Sequence, residues 1–342
     1  MTRNNKIDIL KGIGIISIVL GHALNTSIFY ADSVESIRKF VYIFNIAVFV
    51  FCSGYLFKDE YTTDLRLYFT KKIKSLYLPY LQYNFLLWIA SKILGGGATL
   101  WSVLLFQSKI DYSGAMWFVP LLFLTETIYC VSEMVFQKMR FVKWDVLLYV
   151  FCGMLGILLC VCGVRQFRVD VALTLVPILY LGKWYRLHEQ RIEKAEKWYG
   201  VFVFGIIIFA INHFTGKEIE FSLGRLYGGY LLYPVLAAGI LFCLSLCTLI
   251  RKVSMLEKCI CLLGRNSYAV MALHFLVFRL VDIVCGYITG QIEFYSPYTF
   301  PQLRVIYIVL GISIPVAIGM LLKQINWNIT HYIKRFQRYV TQ

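Results

Sequence analysis

The chain has 342 residues, of which 59% are hydrophobic and 15% charged, and its formal net charge is +15. Soluble domains carry about 25% charged residues and bury most of their large apolar side chains. The mean hydropathy of +0.68 therefore excludes an ordinary soluble protein. An excess of Lys and Arg is typical of the loops that flank membrane spans, so the positive charge does not indicate nucleic-acid binding.

Ten apolar runs are long enough to cross a bilayer, which takes about 20 residues of α-helix. Their continuity excludes a β-barrel, whose strands alternate apolar and polar residues. The sequence predicts an all-α polytopic membrane protein with about ten transmembrane helices, and a single integral-membrane domain over residues 1–342. The predicted spans are 7–28, 39–57, 77–94, 114–136, 145–164, 169–186, 198–214, 228–250, 266–289 and 302–323.

Basic residues outside these runs lie mostly on one side of the predicted membrane. That side carries 23 Lys and Arg and the other side carries 8. The positive-inside rule then places both termini in the cytoplasm. The richer side comprises the two termini and the segments 58–76, 137–143, 183–197 and 251–265. Segment 327–342 mixes aromatic and basic residues, which predicts a basic amphipathic cytoplasmic tail on the anionic inner leaflet.

The first apolar run carries polar groups at a depth where each is costly, which makes each a candidate for function. Lys11 and His22 are eleven residues apart, so helix geometry puts them on one face, about 16 Å apart along the axis. Asn25 falls near the same stripe. A structural histidine and a lysine that snorkels to the interface are the alternatives. Three glycines of this run allow neighbouring helices to approach closely: Gly12, Gly14 and Gly21.

Glu126 is a carboxylate inside the fourth run and needs a partner there. Lys11, His22 and His274 are the residues that could serve.

Further candidates lie in the second, fourth and seventh runs. Ser53 and Gly54 are expected to break the second run, and Trp117 opens the fourth. Asn212 lies at the outer end of the seventh run, where it faces either a polar substrate or a wet loop. Most of the ten cysteines lie inside apolar runs and are expected to pack as small hydrophobes, so no metal site is predicted.

Five segments resemble motifs of the membrane-bound acyltransferase 3 family, and they follow one another along the chain in the order of that family. The first helix of that family has a basic residue, ten residues and then a histidine, as Lys11 and His22 do here. The other segments are Phe51–Leu56, Lys71–Tyr80, Trp117–Phe123 with Glu126, and Gly264–Tyr268 with His274. The segment at Trp117 is similar to the fucose 4-O-acetylase-like branch, which includes many polysaccharide O-acetyltransferases.

The resemblance implies a bacterial enzyme of the inner or plasma membrane. It would move an acyl group, usually acetyl, from cytoplasmic acyl-CoA to a hydroxyl of a cell-envelope glycan or a lipid-linked sugar. Acetyl-CoA would be a co-substrate, with no bound cofactor. Membrane lipids are the other expected partners, and the oligomeric state stays open.

Roles for the candidate residues follow from the same resemblance. His22 is expected to be the general base, with Glu126 orienting it or moving protons and Lys11 holding the donor or stabilising an oxyanion. The expected donor-binding residues are Lys71, Lys72, Lys74 and Trp117. The expected acceptor or supporting residues are Asn25, Ser53, Asn212 and His274.

Two other classes of function fit the sequence. One is a transporter or flippase of an envelope precursor, in which intramembrane His and Glu form a proton relay. The other is a structural or sensory membrane domain that binds a small ligand without chemistry.

Overall fold

The computed structural model of the chain describes residues 4–24, 32–97, 99, 114–139, 145–226, 229–290 and 301–340. Asn25 lies outside these residues. The helices in chain order are α1 (Asn5–Ala23), α2 (Asp32–Tyr42), α3 (Asn45–Tyr55), α4 (Glu60–Thr63), α5 (Leu65–Lys72), a π-helix (Ile73–Tyr77), α6 (Leu78–Ile93), α7 (Phe118–Met139), α8 (Asp145–Val161), α9 (Val169–Ala195), α10 (Gly200–Thr215), α11 (Leu232–Ile250), α12 (Ser254–Arg265), α13 (Ser267–Thr289) and α14 (Arg304–Val340).

Local sequence signals account for several helix ends. Asn4 caps α1 by accepting the backbone N–H of Lys6 at 2.9 Å, and Asp64 caps α5 by accepting that of Leu67 at 2.9 Å. Helices α10 and α13 end at Gly216 and Gly290. Both glycines have positive φ, the left-handed conformation that commonly terminates a helix.

Each of the ten apolar runs contains helix within the described residues, and five helical stretches are long and apolar enough to cross a membrane. These five are Val34–Tyr55, Phe118–Gln137, Leu232–Ile250, Ser267–Thr289 and Arg304–Ile325. The helical class is confirmed, while a total of ten crossings stays a prediction. Helix α14 continues to Val340, through the predicted tail, whose side chains lie outside the described ones.

Several helices present large apolar side chains on their outer faces. On α8, Phe151, Met154 and Leu158 are each more than half exposed, and on α10 so are Ile206 and Phe209. An exposed apolar surface of this extent is typical of a region that contacts a membrane or another protein rather than water. These faces therefore suit contact with lipid.

Helix α1 lies at the centre of the bundle, with 14 of its 19 residues buried. A Cβ atom on Gly12 would lie 2.4 Å from the carbonyl oxygen of Ile260, and one on Gly264 would lie 1.8 Å from that of Asp8. The backbones of α1 and α12 therefore touch, which confirms the predicted close approach at Gly12. The segment 251–265, expected as a loop, contains this helix because its amphipathic sequence packs on α1.

A second pair of glycines brings α3 against α9. A Cβ on Gly54 would lie 1.8 Å from the carbonyl oxygen of Leu179, and one on Gly182 would lie 2.0 Å from that of Phe51. The prediction that Ser53 and Gly54 break the second run is wrong. Helix α3 continues through both residues to Tyr55, and the glycine serves helix contact.

The break lies earlier, at Ile43 and Phe44, between α2 and α3. It places the N-terminus of α3 inside the bundle, because Ile43, Phe44 and Asn45 are all buried.

The segment 58–76 also contains helices. It holds α4, α5 and most of the π-helix that leads into α6. Pro79 stands in the first turn of α6 and has no N–H to bond the carbonyl four residues earlier. The wider π turn accommodates that lost bond, and it directly follows Lys72, the last residue of α5.

Charged side chains are paired at both ends of α1. At its start, Lys6 is buried and lies 2.7 Å from Glu196, and Asp8 lies 2.9 Å from Arg265. We call this the Lys6 end of the bundle. At the other end, which we call the His22 end, Arg38 lies 2.6 Å from Glu218.

The contact between α1 and α12 predicts a large effect of one methyl group. The variant Gly264→Ala places a Cβ against a backbone oxygen that cannot rotate away, so we expect a loss of about 1–3 kcal/mol in unfolding free energy. Thermal unfolding in detergent measures it. Gly205→Ala is the control, since its Cβ would lie 3.5 Å from Phe242 and Ala favours a helix by about 1 kcal/mol. Equal stability of the two variants would contradict the contact.

Candidate active site

Two histidines from distant parts of the chain meet at the His22 end. His22 lies in the last turn of α1, and His274 is fully buried in α13. Nδ1 of His22 is 2.9 Å from Nε2 of His274. Nδ1 of His274 is in turn 2.8 Å from the carbonyl oxygen of Val270, one helical turn earlier.

This chain of contacts assigns the protons of the neutral pair. A carbonyl oxygen only accepts, so Nδ1 of His274 carries a hydrogen. A neutral imidazole has one N–H, so Nε2 of His274 accepts and Nδ1 of His22 donates. Nε2 of His22 is then left with its lone pair. His274 thus holds His22 in the tautomer that a base requires.

A cleft lies beside His22, where three other parts of the chain converge. The break between α2 and α3 contributes Tyr42 and Asn45, the start of α7 contributes Trp117, and a short hairpin contributes Glu220 and Ser222. Aliphatic and aromatic side chains complete its walls: Ile18, Ile46, Ala115, Phe118, Ile219, Phe221 and Met271. A mostly apolar cleft with a few polar groups is the usual form of a small-molecule site.

The hairpin consists of two-residue antiparallel strands, β1 (Ile219–Glu220) and β2 (Arg225–Leu226). Arg168 donates hydrogen bonds to the carbonyl oxygens of Phe221 and Ser222. Its guanidinium also lies 5.9 Å from the ring centre of Trp117. A hairpin this short is marginal alone, so this side chain is a principal support of the cleft wall.

Arg168 itself is held in an unusual backbone conformation. Phe167 and Arg168 have φ values of 52° and 57°, a region that non-glycine residues rarely adopt. Such strain persists only where surrounding contacts impose it, and here the contacts of Arg168 with the hairpin do so.

A second anchor of the hairpin is an ion pair at its base. Glu218 accepts from Arg38 and Arg225. Burial alone would raise the pKa of Glu218, but these two hydrogen bonds outweigh burial, so its pKa lies below the usual value. The stabilisation from this carboxylate is therefore present at neutral pH and is lost only as the pH falls through the lowered pKa.

Glu126 lies in a different polar centre. Its carboxylate is fully buried, accepts a hydrogen bond from Ser53, and lies 2.8 Å from Nζ of Lys72. The expected partners were Lys11, His22 or His274, and that prediction is wrong. Lys72 is partly buried, and its ammonium, from the basic segment 58–76, reaches the carboxylate.

A family model described as an acyltransferase domain, that of the acyltransferase 3 family, matches residues 4–323. The chain belongs to the acyltransferase 3 family. The match runs from the cap of α1 into α14 and includes both histidines, both glycine contacts and the hairpin. Family membership and the apolar helices together indicate a membrane acyltransferase. Comparison with curated proteins and with solved structures finds no match.

The structure of this acyltransferase divides the predicted site residues into groups. His22, His274 and Trp117 lie at the cleft, and Ser53, Glu126 and Lys72 form the second centre. Lys71 and Lys74 are exposed, unlike Lys72. Lys11 is half-buried one turn from Asp8, whose carboxylate pairs with Arg265. Asn212 lies in the last turns of α10 and is not among the described residues that line the cleft.

Tyr42 and Asn45 at the helix break, like Ser222 in the hairpin, line the cleft but were not among the candidate site residues predicted from the sequence. The first two stand among apolar neighbours next to a helix break, and no periodicity marks them. The one signal for a site residue here was a polar side chain, Asn45, directly after the break and among apolar neighbours.

The pairing of Lys72 with Glu126 can be tested by removing the charges singly and together. Breaking a buried ion pair at one partner costs about 3–5 kcal/mol, so Glu126→Gln and Lys72→Met should each unfold at a lower temperature. The double variant should recover most of the loss, and Lys71→Met, at the exposed neighbour, should resemble wild type. Additive losses in the double variant would contradict a direct pair. A folded double variant without acyl transfer would assign Glu126 or Lys72 to the chemistry.

Proposed function

We propose that this acyltransferase moves an acyl group, most simply acetyl, from acyl-CoA to a hydroxyl of a cell-envelope glycan or lipid-linked sugar. His22 is the general base. The observation that carries the proposal is the hydrogen-bonded chain Val270–His274–His22, which leaves Nε2 of His22 as an acceptor next to the cleft. A positioned imidazole of this kind suits a base that works near neutral pH.

The reaction divides into two proton transfers at one nitrogen. The acceptor hydroxyl attacks the thioester carbonyl carbon as its proton passes to Nε2 of His22, and the carbonyl oxygen becomes an oxyanion. When that intermediate collapses, the C–S bond breaks and the coenzyme A thiolate takes the proton from His22. His274 accepts from Nδ1 of His22 throughout and helps to stabilise the transient imidazolium.

The two substrates approach from opposite ends of the bundle in this proposal. Acyl-CoA enters at the Lys6 end, which the positive-inside rule predicts to be cytoplasmic. Exposed Lys71 and Lys74 suit its phosphates there, and Lys11 lies on the way to His22. The acceptor enters at the His22 end, beneath the hairpin, where Trp117 and Glu220 line the cleft.

The separation of the two polar centres favours acyl transfer over a proton relay. A relay needs a continuous chain of proton carriers across the membrane. The carboxylate of Glu126 is instead engaged by Lys72 and Ser53, whereas His22 is engaged by His274. The fucose 4-O-acetylase-like branch and a bacterial plasma membrane are part of the same proposal, on the strength of the motif at Trp117.

The role of His22 predicts the behaviour of two variants. His22→Ala and His22→Gln should each lose about 10²–10⁴-fold in acyl-transfer rate, because neither side chain accepts a proton near neutral pH. Glutamine retains an amide that can donate to His274, so thermal stability in detergent should change little. The assay follows label from radioactive acetyl-CoA into the envelope glycan fraction. His213→Gln, in α10, is the control, and substantial transfer by His22→Gln would refute the base assignment.

The orientation predicts which engineered cysteines face outward. Leu223 in the hairpin is 45% exposed, and Arg191 in α9 is exposed. In intact cells, a membrane-impermeant thiol reagent should label Leu223→Cys and leave Arg191→Cys unlabelled until the cells are opened. The unmodified chain, with its ten cysteines, sets the background. The reverse pattern would place the Lys6 end outside.

A further inference from the structure

Asn45 is a polar side chain enclosed next to His22. It is the first residue of α3, directly after the break at Ile43 and Phe44, and only 4% of its surface is exposed. It lines the same cleft as His22. The small part of the Asn45 surface that stays exposed therefore faces the place where the proposed reaction occurs.

The orientation of the Asn45 amide follows from one hydrogen bond. Its oxygen Oδ1 accepts the backbone N–H of Ile46 at 2.7 Å. The amide nitrogen is on the opposite arm of the planar group and carries two N–H donors. Among the described residues, no side chain or carbonyl accepts from that nitrogen. A donor at the wall of a mostly apolar cleft that bonds no described protein group is available to a ligand in that cleft, which points to such a ligand.

The backbone around Asn45 adds to the same electrostatic effect. Helix α3 has eleven residues, and its N-terminus carries the positive end of the helix dipole. The neighbouring walls of the cleft are apolar, with Ile18, Ile46 and Met271 among them. Hydrogen bonds and dipoles act more strongly on a charge in such surroundings than in water.

We infer that Asn45 donates a hydrogen bond from Nδ2 to the oxyanion of the tetrahedral intermediate. The inference rests on the proposed function and adds a catalytic residue to it. As the acceptor oxygen bonds to the carbonyl carbon, the C=O electron pair moves onto the carbonyl oxygen, and Nδ2–H and the α3 N-terminus stabilise that charge. The bond to Asn45 weakens again when C=O re-forms and the thiolate leaves.

Asn45→Asp separates this role from the local hydrogen bond to the α3 backbone. An aspartate keeps an oxygen that accepts the N–H of Ile46, but an ionised carboxylate has no donors. We expect kcat to fall about 10²–10³-fold, the usual cost of losing one oxyanion donor, with KM for acetyl-CoA within a few-fold of wild type. Asn45→Ala, which adds no charge, should lose as much, and Asn45→Ser, which keeps one donor, should lose less.

The measurements use the full-length protein in detergent with radioactive acetyl-CoA and the envelope glycan fraction. Asn84→Ala is the matched control, because Asn84 is also buried but donates to the carbonyl oxygen of Tyr80 in its own helix. Near wild-type kcat in folded Asn45→Asp or Asn45→Ala overturns the inference and leaves Asn45 with only its hydrogen bond to the N–H of Ile46. If wild type transfers no acyl group, the proposed function itself fails. Loss in His22→Gln with retention in both Asn45 variants rejects this inference alone.

Discussion

The backbone contact between α1 and α12 is the constraint on which the rest of the site depends. Gly12 and Gly264 let the two helices touch without an intervening side chain, so α1 has one permitted depth and rotation. That rotation turns His22 toward His274 and Lys11 toward the interior. A larger residue at either glycine would shift α1 as a rigid rod, and a rod of this length transmits the displacement to His22 at its far end.

Burial then determines how the polar groups are arranged. A polar side chain away from water needs a partner, and the two histidines satisfy one another while Lys72 and Ser53 satisfy Glu126. The result is two separate centres with different chemistry. Ser53 and Lys72 each contact one oxygen of Glu126 in a buried centre suited to holding helices in place, whereas the histidine pair keeps one nitrogen unengaged. Among the described residues, the side-chain nitrogen of Asn45 also has no hydrogen-bond partner. His22 and Asn45 therefore stand out among the polar groups of the same cleft.

Sequence periodicity predicted the features that arise within one helix. The shared face of Lys11 and His22, the close approach at Gly12 and the helical nature of the apolar runs all follow from the repeat of the α-helix. Features set between helices were out of reach. A glycine that serves helix contact, as Gly54 does, has the same sequence signature as one that ends a helix. The partner of Glu126, Lys72, comes from a different part of the chain, and no spacing reveals that contact.

The hairpin is a second feature that sequence periodicity could not predict. Strands of two residues have no periodicity to detect, and their position comes from Arg168 and Arg38, which are 50 or more residues away. The strain at Phe167 and Arg168 indicates that these contacts are strong enough to impose an unfavourable backbone. A wall held this firmly suits a site that must select an acceptor by shape. The donor needs no such enclosure on that side, because in the proposed arrangement it arrives along α1 from the Lys6 end. In the proposed arrangement, His22 therefore lies between the flexible arm of acyl-CoA, which would bring the acyl group, and the hairpin wall, which would orient the hydroxyl.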